Sequence, residues 1–277
     1  MIVKESFVID GSKDKKISID FFFKKNNSKK KILIFSHGFK GFKDWGPFNH
    51  MAEFFAENNF CFVKFNFSFN GTSIQNPIEF VDLKAFGNNN FSIELNDLDL
   101  VIEWIIKHKY KNEINADSIN LLGHSRGGAI SILKANEDKR VSKIISWASP
   151  SNFMKRMDES KLDIWKSEGV AYIFNSRTNQ NMPLYYQFYE DCIQNSQRID
   201  IEMACRNISI PHLAIHGSDD PTVLIDDVYD FLKWNNKTIV HEIKGANHVF
   251  GVSHPYNLNK FPDHFQSVLN KTIEFLK

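Results

Sequence analysis

Apolar residues recur along the chain in runs of strand length, and between those runs they fall back on a helical spacing. Near the start, SFVID and KISIDFFF read as an antiparallel hairpin. KILIFSH (Lys31 to His37) is apolar without polar alternation, the pattern of a strand buried on both faces. FCFVKFNF, SINLLGHS, KIISWAS, PHLAIHG and TIVHEIKG follow the same rule. Between them, Phe48, Met51 and Phe55 share one helix face behind Pro47. Leu95, Leu98, Ile102 and Ile105 share a second face, and Phe265, Leu269, Ile273 and Leu276 a third. Unbroken apolar strands alternating with amphipathic helices predict an α/β fold: a mostly parallel central sheet with helices on both faces. Such a sheet takes its ligand at the carboxyl ends of the strands.

One segment departs from the rhythm. Between 150 and 207 no strand is predicted, and aromatics crowd in, among them Phe153, Trp165, Tyr172, Tyr185 and Phe188. The segment reads as a helical cap inserted within a single domain spanning 1–277. Its polar run NSRTNQ reads as a solvated loop, with Arg177 as a candidate pocket residue.

The 277 residues are 42% hydrophobic, enough for one large core, and the formal net charge of +1 gives no electrostatic case for nucleic acid or an anionic membrane. The densest basic run, KKNNSKKK, reads as a solvated turn between strands. Three cysteines, Cys61, Cys192 and Cys205, match no metal spacing, and Cys61 lies in an apolar run. No leader pattern opens the sequence and no run of about 18 apolar residues occurs. The expectation is a soluble, cytoplasmic protein without cofactor or metal, its oligomeric state open.

The chemistry is concentrated in INLLGHSRGGAISIL (Ile119 to Leu133). Gly123 and Gly127 flank Ser125 where a strand turns into a helix, the arrangement of a nucleophile elbow. A serine hydroxyl attacks only when a base takes its proton and a carboxylate orients that base. Downstream, HGSDDPTV and GANHVF each end a strand, and they supply Asp220 as acid and His248 as base. Asp219 and His254 are the nearest rivals. His108 and His241 read as surface or edge residues, His212 as a strand residue, and His216 as packing under the acid loop. Oxyanion donors are assigned to the backbone N–H of Arg126, after the nucleophile, and of Phe39, in SHGFKGFKDWG. Lys40 and Lys43 in that loop invite a phosphate-binding reading, but G-x-x-x-x-G-K-[ST] is missing.

In their order, SHGF, GHSRGG, HGSDDPTV and GANHVF resemble the α/β-hydrolase superfamily, over Lys31 to Phe250. Within it the chain resembles dienelactone-hydrolase-like and cinnamoyl (feruloyl) esterase-like enzymes. That resemblance implies carboxylic-ester hydrolysis by a serine, without metal or cofactor. The stretch NFSFNGTS departs from the relatives' pattern: Asn66 replaces an acid, and Phe69 replaces a glycine and is expected to narrow the pocket. Phe69, Trp147, Arg177 and Tyr185 are the candidate substrate contacts. A peptidase or thioesterase on the same machinery is the main alternative, since a fold does not choose its leaving group. A non-catalytic scaffold needs no triad, and dehalogenase or epoxide-hydrolase chemistry needs a carboxylate where Ser125 stands.

Overall fold

The computed structural model describes residues 1–108, 110 and 112–277. The N-terminal hairpin is β1 (Ile2–Asp10) and β2 (Lys16–Lys24). Then follow β3 (Lys30–Ser36), α1 (Phe48–Glu57), β4 (Phe60–Phe65), α2 (Leu83–Gly87), α3 (Phe91–Ile106), β5 (Ile114–His124), α4 (Arg126–Glu137) and β6 (Val141–Trp147). The 150–207 segment carries α5 (Leu162–Glu168), β7 (Val170–Asn175), β8 (Gln180–Tyr185), α6 (Gln187–Gln194) and α7 (Ile201–Asn207). The chain closes with β9 (His212–Gly217), α8 (Asp226–Trp234), β10 (Thr238–Ile243) and α9 (Asp263–Leu276).

Eight strands form one sheet in the order β1-β2-β4-β3-β5-β6-β9-β10. From β4 to β10 neighbouring strands run parallel, and β2 runs antiparallel to both β1 and β4, with its Asp20 opposite Lys64 of β4. The two faces carry separate cores. One packs Phe55 of α1 and Leu269 of α9 against Phe35 and Trp147. The other packs Leu98 of α3, Ile130 of α4 and Phe231 of α8 against Ile34 and Leu121. The parallel strands inside the sheet, β3, β4, β6 and β9 and the second half of β5, are thus buried on both sides, which explains the absence of alternation in their sequence; the edge strand β10 is partly exposed. Helix starts are set locally: the Asn90 side chain accepts from Ile93 N at 2.9 Å to begin α3.

Three expectations need correction. The 150–207 segment is not purely helical, because β7 and β8 pair as an antiparallel hairpin whose turn holds Arg177. The basic run is a turn, yet Lys30 within it is buried and pairs with Glu113 at 2.6 Å. His108 is also no surface residue. It is 7% exposed and packs its ring against Phe7 and Trp104.

Candidate active site

β5 delivers Ser125 to the carboxyl edge of the sheet and α4 begins one residue later. Ser125 adopts φ 54 and ψ −125, a conformation rare for a residue with a side chain. Two contacts hold it there: Ser125 N donates to Trp147 O at 2.7 Å, and Gly128 N donates to Ser125 O at 2.9 Å. The turn closes only because its flanks lack side chains. A methyl group at Gly123 would lie 2.1 Å from Gly127 O, and one at Gly127 would lie 2.2 Å from Ser36 O. The elbow geometry read from GHSRGG is therefore present.

β9 ends in the loop that carries both adjacent aspartates, and they divide as burial dictates. Asp219 accepts from Ser218 Oγ at 2.7 Å near the surface. Asp220 is 4% exposed, and its Oδ1 accepts from the backbone N–H groups of Thr222 and Val223 at 2.7 and 2.9 Å. Its Oδ2 lies 2.7 Å from His248 Nδ1 and 3.3 Å from His216 Nε2. Burial alone would raise the Asp220 pKa, but hydrogen bonds from His216 and His248 outweigh it and hold the carboxyl well below the usual range. With Asp220 ionised, His248 donates through Nδ1–H, leaving Nε2 with its lone pair. His216 does pack under the acid loop. Its Nε2 also reaches Val223 O at 2.9 Å, so it braces the turn as well as the acid. The rival His254 is occupied elsewhere, accepting from Gly46 N at 3.0 Å and packing on Phe42.

Ser125 and His248 lie on converging loops. The ring of His124, beside Ser125, lies 5.0 Å from the His248 ring, and its Nε2 donates to His248 O at 2.9 Å. Burial, then the neighbouring His248, push the His124 pKa down to about 3, so it serves as a neutral strut. Among the described residues Ser125 Oγ makes no hydrogen bond to His248.

The loop after β3 passes the serine closely: a methyl group at Gly38 would lie 3.0 Å from Ser125 Cβ. Four buried charges tie this loop to the sheet. Lys43 bridges Asp20 and Asp44, at 2.6 Å to each, and Lys64 bridges the same two carboxylates, at 2.7 Å to Asp20. Lys43 N also donates to Asn66 Oδ1 at 2.6 Å. This network was not anticipated, although Asp20 and Lys64 in the middle of apolar strands carried the signal. A charge on a strand buried on both faces requires a partner. It also gives Lys43 a structural role in place of phosphate binding.

A cavity of 770 Å³ opens at Ser125. Phe39, Phe91, Arg126 and Val223 form its wall beside the serine, and Phe153, Trp165, Tyr172 and Phe188 of the 150–207 segment form much of the remainder. Phe91 and Phe153 stack with ring centroids 3.7 Å apart. The four candidate substrate contacts lie outside this lining. Trp147 is fully buried in the sheet and donates to Thr272 Oγ1 at 3.1 Å. Phe69 packs with Ala85 and Ile93. Arg177 lies over the Phe42 and Phe80 rings and donates to Lys40 O at 2.9 Å. Tyr185 lies against Gly87, where a methyl group would meet its ring at 2.8 Å. Aromatic residue type alone did not distinguish core from wall. The Arg126 side chain, read only for its backbone N–H, proves to line the cavity.

The sheet order, the serine elbow after β5 and the carboxylate and imidazole after β9 and β10 define the class: this is an α/β-hydrolase fold. Solved structures agree over nearly the whole chain. Est1E from Butyrivibrio proteoclasticus with ferulic acid bound is 18% identical, with 98% of this chain and 97% of that one covered and a TM-score of 0.74. A "Putative Dienelactone Hydrolase" from Klebsiella pneumoniae subsp. pneumoniae is 14% identical, with 98% of each chain covered and a TM-score of 0.61. These neighbours agree with the resemblance read from the motifs. In sequence, the chain is 25% identical over 258 residues to "Putative esterase/lipase 2" of Mycoplasma pneumoniae, covering 83% of this chain and 84% of that protein. No protein-family model matches the chain.

Proposed function

We propose that the chain is a serine hydrolase that cleaves a carboxylic ester through an acyl-enzyme. The observation that carries this reading is the Asp220–His248 pair, 2.7 Å apart, with the His248 backbone bonded by the ring of His124, next to the strained Ser125. His248 Nε2 takes the proton of Ser125 Oγ as that oxygen bonds to the acyl carbon, and Asp220 stabilises the imidazolium. The N–H groups of Phe39 and Arg126 hold the oxyanion. As the tetrahedral intermediate collapses, the carbon–oxygen bond to the alcohol breaks, and His248 protonates the departing alcohol. A water then attacks the acyl-enzyme, giving its proton to His248, and the acid is released as Ser125 recovers its hydrogen. The Ser125–His248 hydrogen bond belongs to the loaded enzyme, since catalytic contacts of this kind often tighten only with substrate bound.

The 150–207 segment acts as a cap over the strand ends, and its aromatic residues favour an apolar or aromatic acyl group. The names carried by Est1E's bound ferulic acid and by the Mycoplasma relative support an ester as substrate. A panel of p-nitrophenyl esters, aminoacyl amides and acyl-CoA tests the class. Turnover of the esters with little on the other two is expected. Preferential cleavage of the amides or thioesters would move the assignment to a peptidase or a thioesterase.

A further inference from the structure

The cavity wall is mostly apolar and carries few charged groups. Asp158, Lys161 and Glu168 are exposed at its rim, where Asp158 and Lys161 pair at 3.0 Å. The Arg126 guanidinium is different, because its side chain is 13% exposed and adjoins the nucleophile. Aromatic rings surround it, with the Phe39 centroid 4.1 Å from Cζ, Phe91 at 5.0 Å and Phe188 at 5.5 Å. Rings stabilise the cation electrostatically but offer its N–H groups no conventional hydrogen-bond acceptor.

Of those donors, Nη1 reaches Glu94 Oε1 at 3.4 Å, long for a charge-assisted bond, and Nε and Nη2 meet no acceptor among the described residues. None of the Arg126 nitrogens is sealed in the interior without a partner. Glu94 is a poor counter-charge. Its Oε1 is shared with Asn89 Nδ2 at 2.7 Å, its Oε2 is buried without a partner, and burial raises its pKa. The cavity therefore presents a cation packed among aromatic rings, with donors still open. A planar group with two oxygens is the matching ligand.

We propose that Arg126 binds a carboxylate on the acyl half of the ester, so that the preferred substrates are monoesters of dicarboxylic acids with an apolar spacer. This rests on the serine-hydrolase reading. The acyl half is assigned because Arg126 lines the same cavity as Ser125, whereas among the described residues His248, past which the alcohol must leave, is not part of that lining.

The test uses two esters that differ only at the chain end, mono-4-nitrophenyl glutarate and 4-nitrophenyl pentanoate. The wild type should favour the glutarate ester in kcat/KM by about ten- to a hundredfold, the worth of a hydrogen-bonded charge. Arg126→Met should collapse that ratio to about one, and Arg126→Lys should keep part of it, whatever the absolute rates. Should the variants fail to fold, free glutarate protecting wild-type Ser125 from a fluorophosphonate, where pentanoate does not, supports the same assignment. Equal use of the two esters by a wild type that labels at Ser125 overturns the Arg126 proposal alone. No hydrolysis of either ester and no labelling overturns the hydrolase reading as well.

Discussion

Ser125 holds a backbone conformation that costs on the order of 1–3 kcal/mol, and the glycines around it exist to make that conformation reachable. Strain of this kind persists where the surroundings fix it and where an exposed hydroxyl is wanted. The neighbouring aspartates give the sharpest residue-level comparison. Asp220→Asn keeps the shape but loses the charge that fixes the His248 tautomer, so kcat should fall by about three to four orders of magnitude. Asp219→Asn, which removes only a surface contact to Ser218, should stay within a few-fold. Steady-state kinetics on one ester checks both, and the reverse ranking would transfer the acid's role to Asp219. The pairing of Asp220 with His248 was legible from order and strand ends alone. The His216 contact was legible only as proximity. The Arg126 side chain was not legible, because nothing in GHSRGG tells which way a guanidinium turns.

At the scale of elements, the loop after β3 is held by side chains of β2 and β4. Lys64 is fully buried, and with Lys43 it balances Asp20 and Asp44. Lys64→Met leaves two buried carboxylates facing a single lysine. Unfolding free energy in urea should drop by about 3–5 kcal/mol, the cost of breaking a buried pair from one side. Because the same network anchors the loop of Phe39, kcat should fall too, with KM less affected. A loss below about 1 kcal/mol would contradict this account of the network. The inner strands of the sheet were legible because burial on both faces leaves an unmistakable apolar run, and the half-exposed edge strand β1 was legible from its alternation. The β7–β8 hairpin was not. It is a two-stranded ribbon outside the main sheet, with one face partly exposed, Pro183 within it and a polar turn at its tip. Each of those features weakens a strand signal.

At the scale of the molecule, His37, pushed down to about 4 by burial, and His124 and His212, each pushed down to about 3, chiefly by burial, are buried as neutral rings. Their unfolded values lie near 6.5. Below that point the unfolded chain takes up protons that the folded chain refuses, so the stability these groups contribute is present above pH ~6.5 and is lost on acidification. From pH 7.5 to 6 the loss should total about 2 kcal/mol, a fall of a few degrees in Tm. Glu94 and Asp97, raised by burial, oppose this only where they titrate themselves. A Tm that held steady or rose across that interval, measured calorimetrically, would contradict the neutral burial of the three rings.

The whole architecture, an eight-stranded sheet clad on both faces, brings residues 39, 125, 126, 220 and 248 to one edge. The central claim is that Ser125 at that edge is a nucleophile. Ester turnover by Ser125→Ala, compared with the wild type after circular dichroism has shown that both are folded, tests it most directly. The account predicts a loss of several orders of magnitude. Near-full activity in the folded variant would contradict it.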